Sequence, residues 1–290
     1  MKPTQTFYPL RSLLTNHIDA CGVTLIIAAV CTILHGSAGG ATLPYLFTLT
    51  LTAWLAFAVN DYYDAPYDAA DPFKRGRNFF VQHTPSQPAL ITVLGCVVSL
   101  ITFGFLQYGQ RGLLQVIVAL IAIWAYSAPP LRLKSRPIFD LIMHGLFVET
   151  APYYATLYIL GVIWTPLDYT LLALFFLGSL SAQLEQQARD FEVDQQQERN
   201  FATLVGLRPT VLFLRVLSTL FMAVGIITFF GGVIPFYFIG FALIGLPVIL
   251  HRFIRRADQP RSQPLIMAVL LGELVYLGAV WSVAALGGLS

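Results

Sequence analysis

The sequence predicts an all-α integral membrane protein of nine transmembrane helices. Of its 290 residues, 57% are hydrophobic and only 11% charged, against about 25% charged in an average soluble domain. Mean hydropathy is +0.70. Nine apolar runs approach the roughly 20 residues a span requires: 18–35, 42–59, 88–107, 112–127, 138–162, 168–188, 209–230, 233–250 and 264–286. The basic residues fall on alternate loops between those runs, the charge pattern of a multi-pass protein.

The first run follows Lys2 and Arg11, which places the N-terminus in the cytoplasm. Cys21–Leu34 with small residues near Ser37–Ala41 also fits a signal peptide. An uncleaved first span accounts better for the charges that follow. Cytoplasmic loops then carry Lys74, Arg75 and Arg77; Arg132, Lys134 and Arg136; Arg189, Arg199 and Arg208; and Arg252, Arg255, Arg256 and Arg261. Arg111 alone lies on the opposite side, and Arg215 lies within a span. One span more or fewer in the middle would scatter these charges over both faces. The fourth run is short, as for a tilted or interfacial helix. No polar linker divides the chain, so residues 1–290 read as a single domain in the cell (inner) membrane. Cys21, Cys31 and Cys96 sit in apolar runs without metal-ligand spacing and read as small core residues. A net charge of +2 with dispersed basic residues argues against nucleic-acid binding. No lipidation motif is visible.

Two acidic motifs stand out. Asn60, Asp61, Asp64 and Asp68 follow the second run, and helical spacing puts the three acids on one face. Close anions repel unless a cation lies between them, and a hard divalent ion with oxygen ligands is the economical choice. Mg²⁺ takes one or two carboxylates and completes its shell with water and phosphate, so the motif reads as a Mg²⁺–diphosphate site. Asp190 and Asp194, four apart after the sixth run, repeat the pattern on the same side beyond the polar residues Gln183, Glu185, Gln186 and Gln187. The two clusters facing each other suit two ions and one diphosphate. Between them lies Tyr126-Ser127-Ala128-Pro129-Pro130-Leu131-Arg132-Leu133-Lys134. Its paired prolines set an extended turn, and Arg132 and Lys134 are suited to phosphate oxygens.

The two acidic motifs and this turn, in order on nine helices, resemble the UbiA-type intramembrane prenyltransferases. Tyr126–Asp140, and Asp68 followed by Asp71-Pro72-Phe73-Lys74, are similar to the branch that elongates carotenoids such as lycopene. The resemblance implies a ring of helices around a central cavity, capped by the cytoplasmic loops after helices two and six. It also implies Mg²⁺-dependent transfer of an isoprenoid from a prenyl diphosphate to a lipophilic acceptor of carotenoid or quinone-precursor type. Position by position, Asn60, Asp61, Asp64, Asp68, Asp190 and Asp194 match its Mg²⁺–diphosphate ligands. Tyr126, Arg132 and Lys134 match the turn, and Arg75 and Arg77 the basic residues of the cap loop. Asp64, Asp190, Arg132, Lys134 and Tyr126 are then the catalytic set. The sequence departs from the family at Asn16-His17, where an Arg and an aromatic are usual, and over Arg77–His83, which lacks the Arg-Pro and Gly-Arg pairs. Pro66 inside the first motif argues against an unbroken helix through Asp68.

The chemistry such a site performs asks for more. Basic residues and Mg²⁺ stabilise the leaving diphosphate. The allylic cation needs a dry surround and aromatic faces, for which Tyr62, Tyr63, Tyr67, Tyr126, Tyr153, Tyr154 and Tyr158 are candidates alongside plain packing. Asp140, His144, Glu149 and Glu185 are candidates for the base that takes the acceptor's proton. Glu273 reads as an interhelical hydrogen-bonding residue. Two rivals remain at this stage. A terpene cyclase ionises the same diphosphate without an acceptor. A transporter would use Asp140, Glu149 and Glu273 as ion sites, though the acids gather at one face and no broken-helix pair recurs.

Overall fold

A computed structural model describes residue 13 and residues 16–70, 72–197, 199–254 and 262–288. Lys2, Arg11, Asp71, Arg255, Arg256 and Arg261, and the side chain of Arg252, lie outside the described residues. Every regular element among the described residues is helical. In order they are α1 (Ile18–Leu34), α2 (Leu43–Asp68), α3 (Pro72–Arg75), α4 (Phe79–Gln82), α5 (Gln87–Leu106), α6 (Gly109–Ser127) and α7 (Phe139–His144). Then follow α8 (Ala151–Leu160), α9 (Pro166–Arg189), α10 (Phe191–Gln197), α11 (Phe201–Val205), α12 (Leu207–Phe230), α13 (Ile239–Ile254) and α14 (Gln263–Ala285).

Six helices among the described residues are long and apolar enough to cross a membrane: α2 with its preceding turn, α5, α6, α9, α12 and α14. The expected count of nine rests on three further runs. Two of them form shorter apolar helices, Ile18–Leu34 and Phe236–His251. The third is not one α-helix, because a π-helical turn, Gly145–Thr150, separates α7 from α8. Pro152 supplies the reason. It has no N–H to donate, and its ring would meet the carbonyl one turn back in a continuous α-helix, so the wider turn carries the chain past it.

Pro66 behaves differently from the expectation. α2 continues unbroken through it to Asp68. The proline lies in the last turn, where it removes one hydrogen bond and the helix needs few more; Ala69 N still reaches Ala65 O at 3.1 Å.

The chain divides into two compact units. One contains the described residues up to Cys21 with Phe47–Arg132, and the other Gly22–Leu46 with Leu133 onward. In the first unit Phe47, Phe103 and Ile121 stand more than half exposed. In the second, Ile227, Leu271 and Val275 do the same. Such apolar surfaces are at home against lipid chains, where helices satisfy their backbone groups internally. Packing in the second unit is tight where α9 crosses the π turn. A Cβ on Gly145 would come within 2.8 Å of the Phe176 ring, the close approach that small residues permit between membrane helices. Leu141, Leu184, Leu214 and Leu217 form a buried core there, with Leu177, Leu180 and Phe201 against it.

Candidate active site

The first acidic motif occupies the last turns of α2. Asn60 Nδ2 donates to Asp64 Oδ2 at 2.9 Å, one helical turn on. The other oxygen of Asp64 accepts from Arg132 Nη2 at 3.1 Å, and the Arg132 guanidinium lies 4.2 Å from the centroid of the Tyr67 ring. That cation–π contact and the ion pair hold one side chain from two sides. Arg132 itself has a φ of 36°, a left-handed conformation that disfavours a residue with a Cβ. It closes a turn after the prolines, its N–H donating to Ala128 O at 2.8 Å. Backbone strain of this kind persists where surroundings over-determine it, and here Asp64 and Tyr67 hold the side chain while Ala128 O holds the backbone. Ser127 Oγ donates to Asn60 Oδ1 at 3.4 Å. Tyr126, half-buried, lies next to it in the last turn of α6.

Asp61 is spoken for differently. It is buried, and Asn16 Nδ2 donates to its Oδ2 at 2.8 Å while His17 Nε2 lies 2.9 Å from its Oδ1. A carboxylate only accepts, so Nε2 carries the hydrogen. The His17 ring stacks on Phe57 with centroids 4.6 Å apart. Arg77 donates from Nε to Asn16 Oδ1 and from Nη2 to Asn16 O, each at 3.2 Å. Buried Asn78 spends both amide hydrogens on this segment, to Asp61 O and to Asp68 Oδ2, each at 2.8 Å. Its own Oδ1 caps α4 by accepting from Phe80 N. Arg75 Nε donates to Ala69 O at 2.7 Å and supports the turn after α2. Thus the acids do lie along one helix, and the groups between them are His17, Arg132 and Asn78. The Asn16-His17 pair, which sequence reasoning set down as a departure, is bonded directly to the first acid of the motif. Asn78 was missed altogether; an amide carries no charge signal to betray it.

The second acidic motif belongs to the other unit. Asp190 caps the end of α9 and is largely buried, with Arg189 Nε at 2.7 Å from Oδ1 and Nη2 at 3.2 Å from Oδ2. Asp194 Oδ2 accepts from Asn200 Nδ2 at 2.7 Å. Asn200 also caps α11, accepting from Thr203 N at 2.9 Å. Glu185 is buried one turn before Arg189 on α9. Lys134 lies half-buried in a 3₁₀ turn, Leu133–Ser135.

Other expected residues make contacts of their own. Tyr153 is fully buried and donates to Asp168 Oδ1 at 2.7 Å; His35 Nε2 lies 2.9 Å from the same oxygen. Asp168 Oδ2 accepts Thr165 N and Oγ1 to start α9. His144 Nδ1 lies 3.1 Å from Ser179 Oγ, which donates to His144 O at 2.9 Å. Glu149 sits in the π turn with its carboxylate where a Cβ on Gly178 would be 3.0 Å away. Tyr62 and Tyr154 are half exposed and make edge contacts, to Tyr63 and Phe80 and to Trp164.

Among the described residues no three His, Cys, Asp or Glu side chains converge as a ready-made metal cage. The donors present are amide and carboxylate oxygens beside guanidinium groups. Oxygen-only sets of one or two carboxylates, open to water and phosphate, are what Mg²⁺ accepts, so Asn60, Asp64 and Asp68 in one unit and Asp190 and Asp194 in the other fit that ion by chemistry.

Residues 21–286 match the model of the UbiA prenyltransferase family. A lycopene elongase/hydratase of Corynebacterium glutamicum is 27% identical over 161 residues, 53% of this chain and 54% of that protein. One from Haloarcula japonica is 34% identical over 107 residues, 35% and 34% of the two chains. The chain thus spans about half the length, or less, of the curated relatives it matches. Among solved structures, a UbiA homolog from Archaeoglobus fulgidus bound to GPP and Mg²⁺ superposes with a TM-score of 0.72. It covers 95% of this chain and 99% of that one at 17% identity. The same homolog bound to DMAPP and Mg²⁺ gives 0.68. At that identity the likeness speaks for the fold.

Proposed function

The chain belongs to the UbiA prenyltransferase family, and from that premise we propose that it transfers an isoprenoid from a prenyl diphosphate to a lipophilic acceptor, with Mg²⁺ as cofactor. The observation that carries this is the arrangement of Asp64, Arg132 and Tyr67 around the last turn of α2. A carboxylate, a fork of guanidinium donors and an aromatic face stand together, which are the three things a departing diphosphate and its allylic cation require. The solved relatives bound to GPP or DMAPP with Mg²⁺ support the same reading.

In this account Asn60, Asp64 and Asp68, and likewise Asp190 and Asp194, would hold Mg²⁺. When bound, the ion would act as a Lewis acid on the phosphate oxygens. Arg132 and Lys134, with Arg75 and Arg77 of the loop after α2, neutralise charge as the C–O bond breaks and its electron pair leaves on the diphosphate. Tyr67 and Tyr126 offer π faces to the allylic cation. A carbon–carbon bond then forms from a double bond or ring carbon of the acceptor, whose cation loses a proton. Asp61 serves best as an anchor, since it is more buried than Asp64 and ties α2 to Asn16 and His17. The protein works as a multi-pass enzyme of the cell membrane, with the acidic motifs on the cytoplasmic side. The acceptor we favour is a carotenoid of the lycopene type, because the curated relatives are lycopene elongase/hydratases.

The test is product analysis. Purified protein in detergent, given Mg²⁺, a prenyl diphosphate and lycopene, should yield the acceptor enlarged by one or two prenyl groups. A prenylated quinone precursor with lycopene left untouched would reassign the acceptor. A cyclic hydrocarbon formed without any acceptor would replace transfer by cyclisation.

A further inference from the structure

Of the intramembrane acids, Asp140 is the most completely enclosed. It lies in the first turn of α7, which follows Ile138, whose φ of 76° is a rare conformation for a β-branched residue. The strained turn feeds a carboxylate with no solvent exposure into the interior of its unit. Oδ2 accepts Gln187 Nε2 at 2.6 Å and the backbone N–H of Phe201 at 2.7 Å. Gln187 in turn accepts from Ala202 N, at 3.1 Å. The first N–H groups of a helix have no partner within it. Here those of Phe201 and Ala202 are met by side chains from α7 and α9, 61 and 15 residues earlier in the chain. The Phe201 ring packs on the core of Leu141, Leu184, Leu214 and Leu217. One residue before it, Asn200 holds Asp194.

We propose that Asp140 is a positioning residue for the second acidic motif: through Phe201 and Asn200 it fixes the α10–α11 segment and so the carboxylate of Asp194. The inference rests on reading Asp194 as a ligand of the Mg²⁺–diphosphate. It also narrows the search for the proton acceptor, because a carboxylate this enclosed and already accepting two hydrogen bonds is poorly placed to meet substrate. Buried acceptors of this kind are costly to remove, and segments with few buried contacts open readily.

Hydrogen exchange on the full-length protein in detergent, without Mg²⁺ or substrate, tests the positioning directly. Asp140→Ala should speed exchange in peptides covering residues 191–205 and leave those covering 60–80 unchanged. Should Asp140→Ala fail to fold, Asp140→Leu, which keeps the branched shape and removes both acceptor oxygens, carries the same comparison. Unchanged exchange in 191–205 would overturn the proposal. The second readout is the Mg²⁺ half-saturation of diphosphate release. Asp140→Leu should raise it about tenfold, the scale of one lost buried hydrogen bond, and add little when Asp194→Ala is already present. An equal rise in both backgrounds would also overturn it. If Asp194→Ala alone leaves half-saturation unchanged, the ligand reading fails, while the exchange measurement still decides what Asp140 does.

Discussion

The acids of the first motif have the same side chain and separate fates. Asp64 meets a guanidinium that a phosphate can share, whereas the more buried Asp61 is held by Asn16 and His17. Asp64→Asn should therefore raise the Mg²⁺ half-saturation of diphosphate release by about 100-fold, and Asp61→Asn by far less while lowering the thermal midpoint. Equal shifts in half-saturation for the two variants would show that Asp61 is a ligand after all. Arg132 permits a sharper separation of backbone from side chain. Its left-handed φ costs about 1–2 kcal/mol that glycine does not incur. Arg132→Gly should thus change stability by less than about 1 kcal/mol, relief offsetting the lost ion pair, yet cut turnover by about 100-fold. Calorimetry and turnover on one preparation check both halves.

At the scale of elements, each acidic motif hangs on amides as much as on charges. Asn78 joins α2 to the short helix α4, and Asn200 joins α10 to α11. Those roles were not legible in the sequence, because an amide's partner is decided by what folding brings near it. The acids themselves were legible, since charge in an apolar chain has to be explained. The Pro66 expectation missed because a proline's cost depends on its distance from the helix end, and the end of α2 is set by the turn that Arg75 and Asn78 secure. The interruption at Gly145–Thr150 was hidden within a run whose hydropathy is uniform, although Pro152 marked its edge. The start of α9 offers a control away from the motifs. Asp168→Ala removes a helix cap and leaves the buried Tyr153 hydroxyl and His35 without their acceptor. It should destabilise by about 2–4 kcal/mol and leave Mg²⁺ half-saturation unaltered; a shifted half-saturation would tie that network to the site.

For the molecule as a whole, the lopsided loop charges and the run lengths sufficed to foresee an all-helical membrane protein, and the motif order sufficed to foresee the family. Exposed apolar side chains on both units agree with a lipid surround. The Mg²⁺–diphosphate role of the two motifs is open to several assays. The most direct of these is diphosphate release by the purified protein in detergent, with a series of prenyl diphosphates, with and without Mg²⁺, beside Asp64→Ala and Asp190→Ala. The account predicts release that requires Mg²⁺ and is lost in both variants, one from each motif. Release that persists without Mg²⁺, or that survives either substitution, would contradict the shared Mg²⁺–diphosphate role assigned to the two motifs.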